Sequence, residues 1–135
     1  MIRLKWVYDR ADVTDGDRIL AERSWPRGIR RSTTNIDYWI KDAGPSQELK
    51  RWYIHNPGKW NSFRARYRKE LADGKALRKL AFYVLDKDPV TLLHISKDAK
   101  HSSAAVLVEL LSAKVRELRK EERAYAGARA VRAYA

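Results

Sequence analysis

The sequence predicts an α/β domain: a small sheet of about three strands, parallel or mixed, flanked by helices and followed by a C-terminal helical extension. Three observations carry this expectation. Ile2, Leu4 and Trp6 alternate with Arg3 and Lys5, the period of two that marks a strand with one wetter face. Val90-Thr91-Leu92-Leu93-His94-Ile95 is a nearly continuous β-rich run, the pattern of a strand buried on both faces. Between them, Trp60, Phe63, Tyr67 and Leu71, then Leu77, Leu80, Ala81, Val84 and Leu85, recur at helical spacing.

Taken in order, the first strand covers residues 2 to 7. An acidic loop with Asp9, Asp12, Asp15 and Asp17 follows, and Arg18 to Arg23 reads as a second strand, stopped by Pro26 and Gly28. The connection is too short for a standard crossover helix, so these two strands are either antiparallel or not nearest neighbours. Ile36 to Ile40 reads as a short turn or helix. Ser46 is placed to cap the next helix, with Glu48 favourable in its first turn, and that helix ends before Pro57-Gly58. Gly74 stands where a left-handed residue would close the Trp60 helix. The following helix ends at Asp88-Pro89, and Val90 to Ile95 is the expected central strand. A polar loop, Ser96 to Ser103, leads into a helix carrying Ala104, Val108, Leu111, Val115 and Leu118 on one side. Residues 1 to 118 thus read as one α/β domain, and 119 to 135 as a basic, alanine-rich helical or frayed tail.

Composition limits the function. At 135 residues the chain suits a single domain. Lys and Arg number 29 against 17 Asp and Glu, a formal charge of +12 that favours anionic partners. The absence of cysteine excludes disulfides, cysteine-ligated metals and thiol nucleophiles. The start of the chain has no apolar signal core, and the longest apolar runs, Leu80 to Leu85 and Ala104 to Val108, are far too short for a membrane span. A cytoplasmic protein with no membrane partner is expected. No Walker loop, dinucleotide fingerprint or metalloprotease motif occurs, and the acidic loop lacks the ligand order of a calcium site, so neither cofactor nor metal is expected.

Three constellations are candidates for chemistry. The first is Arg23-Ser24-Trp25-Pro26-Arg27-Gly28-Ile29-Arg30-Arg31, four arginines around a tryptophan at a strand end, where ligands of open α/β sheets collect. Arg23 and Arg27 would hold phosphate or carboxylate, Trp25 would form a wall, and Gly28 would let backbone approach the ligand. The competing reading has Trp25 in the core and the arginines paired with Asp37, Asp42 or Glu22. The second is the loop before the last helix, where Ser102 or Ser103 as a cap, with Lys97, Lys100 and His101 nearby, would form an anion site. Asp98 and His101 are the candidate acid–base pair, against the plainer reading of a polar loop with an ordinary cap. The third is residues 50 to 69, rich in cations and aromatics without an acidic residue. Arg64, Arg66, Arg68 and Lys69 would contact nucleic acid through non-specific electrostatics, helped by the basic tail, while Trp60, Phe63 and Tyr67 read as core.

The blocks Arg23 to Ile29, Asp37-Tyr38-Trp39, and Pro45 to Leu49 with Trp52 come in a fixed order with further blocks. These are His55-Asn56-Pro57 with Trp60, then Phe63, Tyr67 and Glu70-Leu71, and finally Thr91-Leu92-Leu93 with Lys97, Asp98 and His101. This series resembles the YeaO-like group of the bacterial and archaeal domain-of-unknown-function 488 family over about residues 2 to 118. The resemblance implies a compact α/β domain and supplies no established activity, substrate or cofactor. The chain departs from the family pattern at Ser24, where leucine is usual, and at Ser102-Ser103, where asparagines are common. Wider relatives carry cysteines near the last strand-to-helix loop, so thiol chemistry does not transfer. The leading expectation is therefore a small anionic or phosphorylated ligand bound at the strand ends, and the alternative a non-catalytic nucleic-acid-binding module.

Overall fold

The computed structural model describes residues 1–33 and 35–134. Four strands, one more than expected, form a wholly parallel sheet in the order β1-β4-β2-β3. They are β1 (Ile2–Trp6), β2 (Asp17–Leu20), β3 (Tyr38–Trp39) and β4 (Val90–His94). The last strand in sequence lies between the first two, pairing Ile2 with Val90 on one side and Asp17 with Val90 on the other. Of the two arrangements open for β1 and β2, the structure has the separated one. Every residue of β4 is buried, as its unbroken apolar run requires.

The expected turn or helix at Ile36 to Ile40 is instead β3, whose Tyr38 pairs with Ile19 and Trp39 with Leu20. Aromatic residues suit a pleated surface, but a two-residue strand is too short to display a period of two. Its pairing continues outward, with the Ile40 amide donating to the Leu20 carbonyl at 2.9 Å. The second strand is also shorter than expected, ending at Leu20, so Ala21, Glu22 and Arg23 belong to the connection beyond the sheet edge.

Helices α1 (Gln47–His55), α2 (Trp60–Asp73) and α3 (Ala76–Lys87) separate β3 from β4, and α4 (Ser103–Tyr134) follows it. Ser46 caps α1 as expected, its hydroxyl accepting from the Leu49 amide at 3.1 Å. Gly74 is extended (φ −104°, ψ 175°) rather than left-handed, because α3 begins two residues later and the chain must leave α2 at once. One core joins the sheet and helices: Ile19, Val90 and Leu92 pack with Phe63, Tyr67, Leu80, Val84, Leu107 and Leu111.

The opposite sheet face is covered by loops and carries charge. Arg18 and Lys5 both pair with buried Asp15, at 2.7 and 3.2 Å, and the Thr91 hydroxyl donates to the Asp15 carbonyl at 2.8 Å. Burial raises the Asp15 pKa, but hydrogen bonds from the Asp12 amide, Arg18 and Lys5 outweigh it and hold the carboxyl below its ordinary 3.8.

Past Leu118, the last residue of α4 described as buried, Arg119 reaches back to Asp88 at 3.0 Å. From Lys120 to Arg132 the helix is exposed on all sides. Among the described residues no helix is long and apolar enough to cross a membrane.

Candidate functional site

Parallel strands place their carboxyl ends along one edge of the sheet. A cavity of about 210 Å³ opens there. Glu22, just past β2, and Lys50 and Tyr53 of α1 line one part of it, while Phe63 of α2, His101 of the β4–α4 connection and Ser103 of α4 line the other. Gly44 makes this convergence sterically feasible. A Cβ at that position would lie 2.9 Å from the Ala21 carbonyl oxygen and 2.9 Å from Glu22 Cα, so glycine lets the loop before α1 pass directly behind Glu22.

Glu22 is buried, yet it is fully partnered. Its carboxylate accepts from Lys50 Nζ at 3.0 Å and from Ser103 Oγ at 2.9 Å. The Trp39 indole donates to its backbone carbonyl at 2.7 Å, which fixes the chain where the side chain enters the cavity. Lys50 Nζ has three donors and spends one on Glu22, leaving an incompletely used cation at the rim.

Of the two serines the sequence offers as the cap, Ser102 caps α4: its hydroxyl accepts from the Ala105 amide at 3.2 Å and donates to the Ala99 carbonyl at 2.7 Å. The amides of Ser103 and Ala104 have no carbonyl within the helix to bond, and the helix dipole adds to their preference for negative charge. His101 Nδ1 lies 2.6 Å from Asp98 Oδ2, and its imidazole meets Trp60 edge-on with 5.2 Å between ring centroids. The hydrogen bond to His101 outweighs desolvation and holds the Asp98 carboxyl below 3.8. Neither serine hydroxyl is directed at the imidazole; one goes to a carbonyl and the other to Glu22.

Of the sequence candidates, then, His101, Ser102 and Ser103 share this cavity, and Asp98 joins through His101. Lys97 is exposed on the loop and lies outside the lining. The arginine loop is elsewhere. Arg23 lines a separate cavity with Asp42 and Glu70, its guanidinium 3.6 Å from Asp42 and its Nε donating to the Gly44 carbonyl at 3.3 Å. Trp25 donates to the Ile29 carbonyl at 2.6 Å and packs edge-to-face on Trp39, with the Arg31 guanidinium over both rings. Arg27 is exposed, and its carbonyl accepts from the Tyr8 hydroxyl at 2.8 Å. Gly28 has φ +77°, and a Cβ there would meet nothing within 4 Å, so the glycine serves the turn rather than a close approach.

On α2, Arg64 and Arg68 both pair with Glu109 of α4, at 2.6 and 3.4 Å. Arg66 lies over the Trp52 ring at 3.9 Å, and Lys69 is exposed. Sequence reasoning missed Glu22 and Lys50 as site residues. The available signal was a lone carboxylate just after an apolar strand, at the edge where α/β ligands bind.

Comparison with known proteins gives a consistent assignment. The family described as the inactive DUF488-N3 subclade matches residues 1–130. An uncharacterized protein of Mycobacterium tuberculosis is 39% identical over 111 residues, covering 82% of this chain and 93% of the relative. The uncharacterized protein YeaO of Escherichia coli is 37% identical over 110 residues, covering 82% of this chain and 96% of the relative. No solved structure matches.

Proposed function

The chain belongs to the inactive DUF488-N3 subclade, and we propose that its strand-end cleft holds a small anionic or phosphorylated ligand without turning it over. The observation that carries this reading is the convergence of Lys50, His101 and the capped start of α4 on one open cavity at the carboxyl edge of a parallel sheet. Arg23, Trp25 and Arg27 are not part of this proposal, since none of them lines the cavity.

Glu22 acts in this site as a resident anion. It pairs with Lys50 and accepts from the Ser103 hydroxyl at the start of α4. An incoming anion shares Lys50 with it and is repelled by it, so Glu22 limits affinity and excludes the most highly charged ligands. The aromatic wall of Tyr53 and Phe63, with ring centroids 4.5 Å apart, favours an apolar body on the ligand. A volume of about 210 Å³ is below the usual range for drug-sized ligands, roughly 300–1,000 Å³, and suits a compact molecule. Binding without turnover agrees with the subclade's description and with hydroxyls that point away from His101.

Thermal shift and calorimetry with inorganic phosphate and phenyl phosphate, against sodium chloride at matched ionic strength, test the reading. Both phosphates raise the melting temperature, phenyl phosphate more, and Lys50→Met removes the effect. Equal melting in phosphate and matched chloride would overturn it.

A further inference from the structure

A depression of about 600 Å³ lies on another surface, where the end of α2, the start of α3 and the middle of α4 meet. Its lining alternates two chemistries. Leu71, Leu77 and the Phe82 ring give it an apolar floor, and Lys75, Arg78, Lys79 and Lys114 surround that floor with four cations. No carboxylate is among the lining residues. Lys114 is 3.4 Å from Glu117, an exposed pair of small net value that solvent or a ligand can replace. Phe82 is 49% exposed, an uncommon state for a large apolar ring, and the Arg78 guanidinium lies 5.1 Å from its centroid. Toward the amino end of α2 the same side continues with Arg64 and Arg68, which share Glu109 between them.

We infer that this groove takes single-stranded nucleic acid, its phosphates on Lys75, Lys79 and Lys114 and a base stacked against Phe82 and Arg78. Charge complementarity selects a polyanion: cations along a groove neutralise successive phosphates and release their counterions. The apolar floor selects a single strand over a duplex, because only unpaired bases offer their faces to a ring and a guanidinium plane. An acidic peptide would satisfy the cations but would not need a planar stacking surface. The surface is separate from the strand-end cleft and shares no lining residue with it.

Fluorescence anisotropy with a labelled oligouridine of about 15 nucleotides, within the span of known single-strand sites, is the test. Three neutralised phosphates give a slope of about −2.1 in log affinity against log salt, which is about a 20-fold loss between about 50 and 200 mM. The exposed double variant Lys75→Glu, Lys79→Glu loses tenfold or more, and Phe82→Ala loses about fivefold or more. Arg51→Glu, Lys59→Glu makes the same charge change outside the groove and stays within twofold. Circular dichroism verifies that each variant is folded. Equal losses in the two charge-reversed pairs, equal affinity for a duplex or for polyglutamate, or an unaltered Phe82→Ala would overturn the inference.

Discussion

Glu22 and Arg23 are neighbours in sequence and face different cavities, and the two regions they enter differ in how their polar groups are used. Around Glu22, groups from two other segments converge on open space: Lys50 from α1, and His101 and Ser103 from the junction of the β4–α4 connection with α4. Around Arg23, several of the charged and polar groups are engaged by the fold, while Arg27 and Arg30 are exposed. Arg23 is bonded to Asp42 and a carbonyl, the Trp25 indole to a carbonyl, and Arg31 lies over two rings. A dense run of arginines in sequence therefore does not by itself say which polar groups line a cavity at the strand edge, where ligands of open α/β sheets collect.

The contrast can be broken most severely at Trp39, which serves both regions. Its indole donates to the Glu22 carbonyl, and its ring carries Trp25, Arg31 and Lys41. Trp39→Ala is expected to cost about 2–3 kcal/mol in urea denaturation, somewhat below the range for fully buried tryptophans because this ring is half-buried. The same variant weakens phosphate binding. A stability loss under about 0.5 kcal/mol, the size of an ordinary surface change, would show that the two regions are not joined through this ring.

Glu22→Gln sharpens the comparison. It removes the resident charge while keeping an acceptor for Lys50 and Ser103, so calorimetry should show phosphate affinity increasing about tenfold, or about 1.4 kcal/mol. Weaker binding in this variant would mean that Glu22 recruits the ligand rather than opposing it.

A smaller effect is expected at the cleft rim as pH falls. The Asp98 carboxyl is depressed in the folded state, so its contribution is complete above the unfolded value near 3.8 and is lost as pH falls through the lower folded value. Carboxyl-carbon NMR should place its midpoint below 3.8, and His101→Ala should move the midpoint up. Least of all is expected from Arg23→Ala, Arg27→Ala: within about 0.5 kcal/mol in stability, with phosphate binding unaltered. A tenfold loss of phosphate affinity in that double variant would return the site to the arginine loop.

Those parts of the molecule with a long enough period were legible in the sequence. The alternation at Ile2, Leu4 and Trp6, the apolar run of β4 and the stripes of α2 and α3 each span enough residues for one pattern to win. β3 escaped because two residues show no period, and the strand order escaped because it depends on long-range pairing. At the site, the Ser102 cap, the Asp98–His101 pair and the Arg23–Asp42 alternative were readable because each is a local or charge-matched relation. Glu22 and Lys50 were not, since 28 positions separate them and only the sheet edge brings them together.

The central claim, that the ligand sits at the start of α4 and not on the arginine loop, is tested most directly by an amide NMR titration with phenyl phosphate. The account predicts saturable shifts at His101, Ser103 and Ala104, with Arg23 to Arg31 unmoved. Shifts confined to the arginine loop, or none at the start of α4, would contradict it.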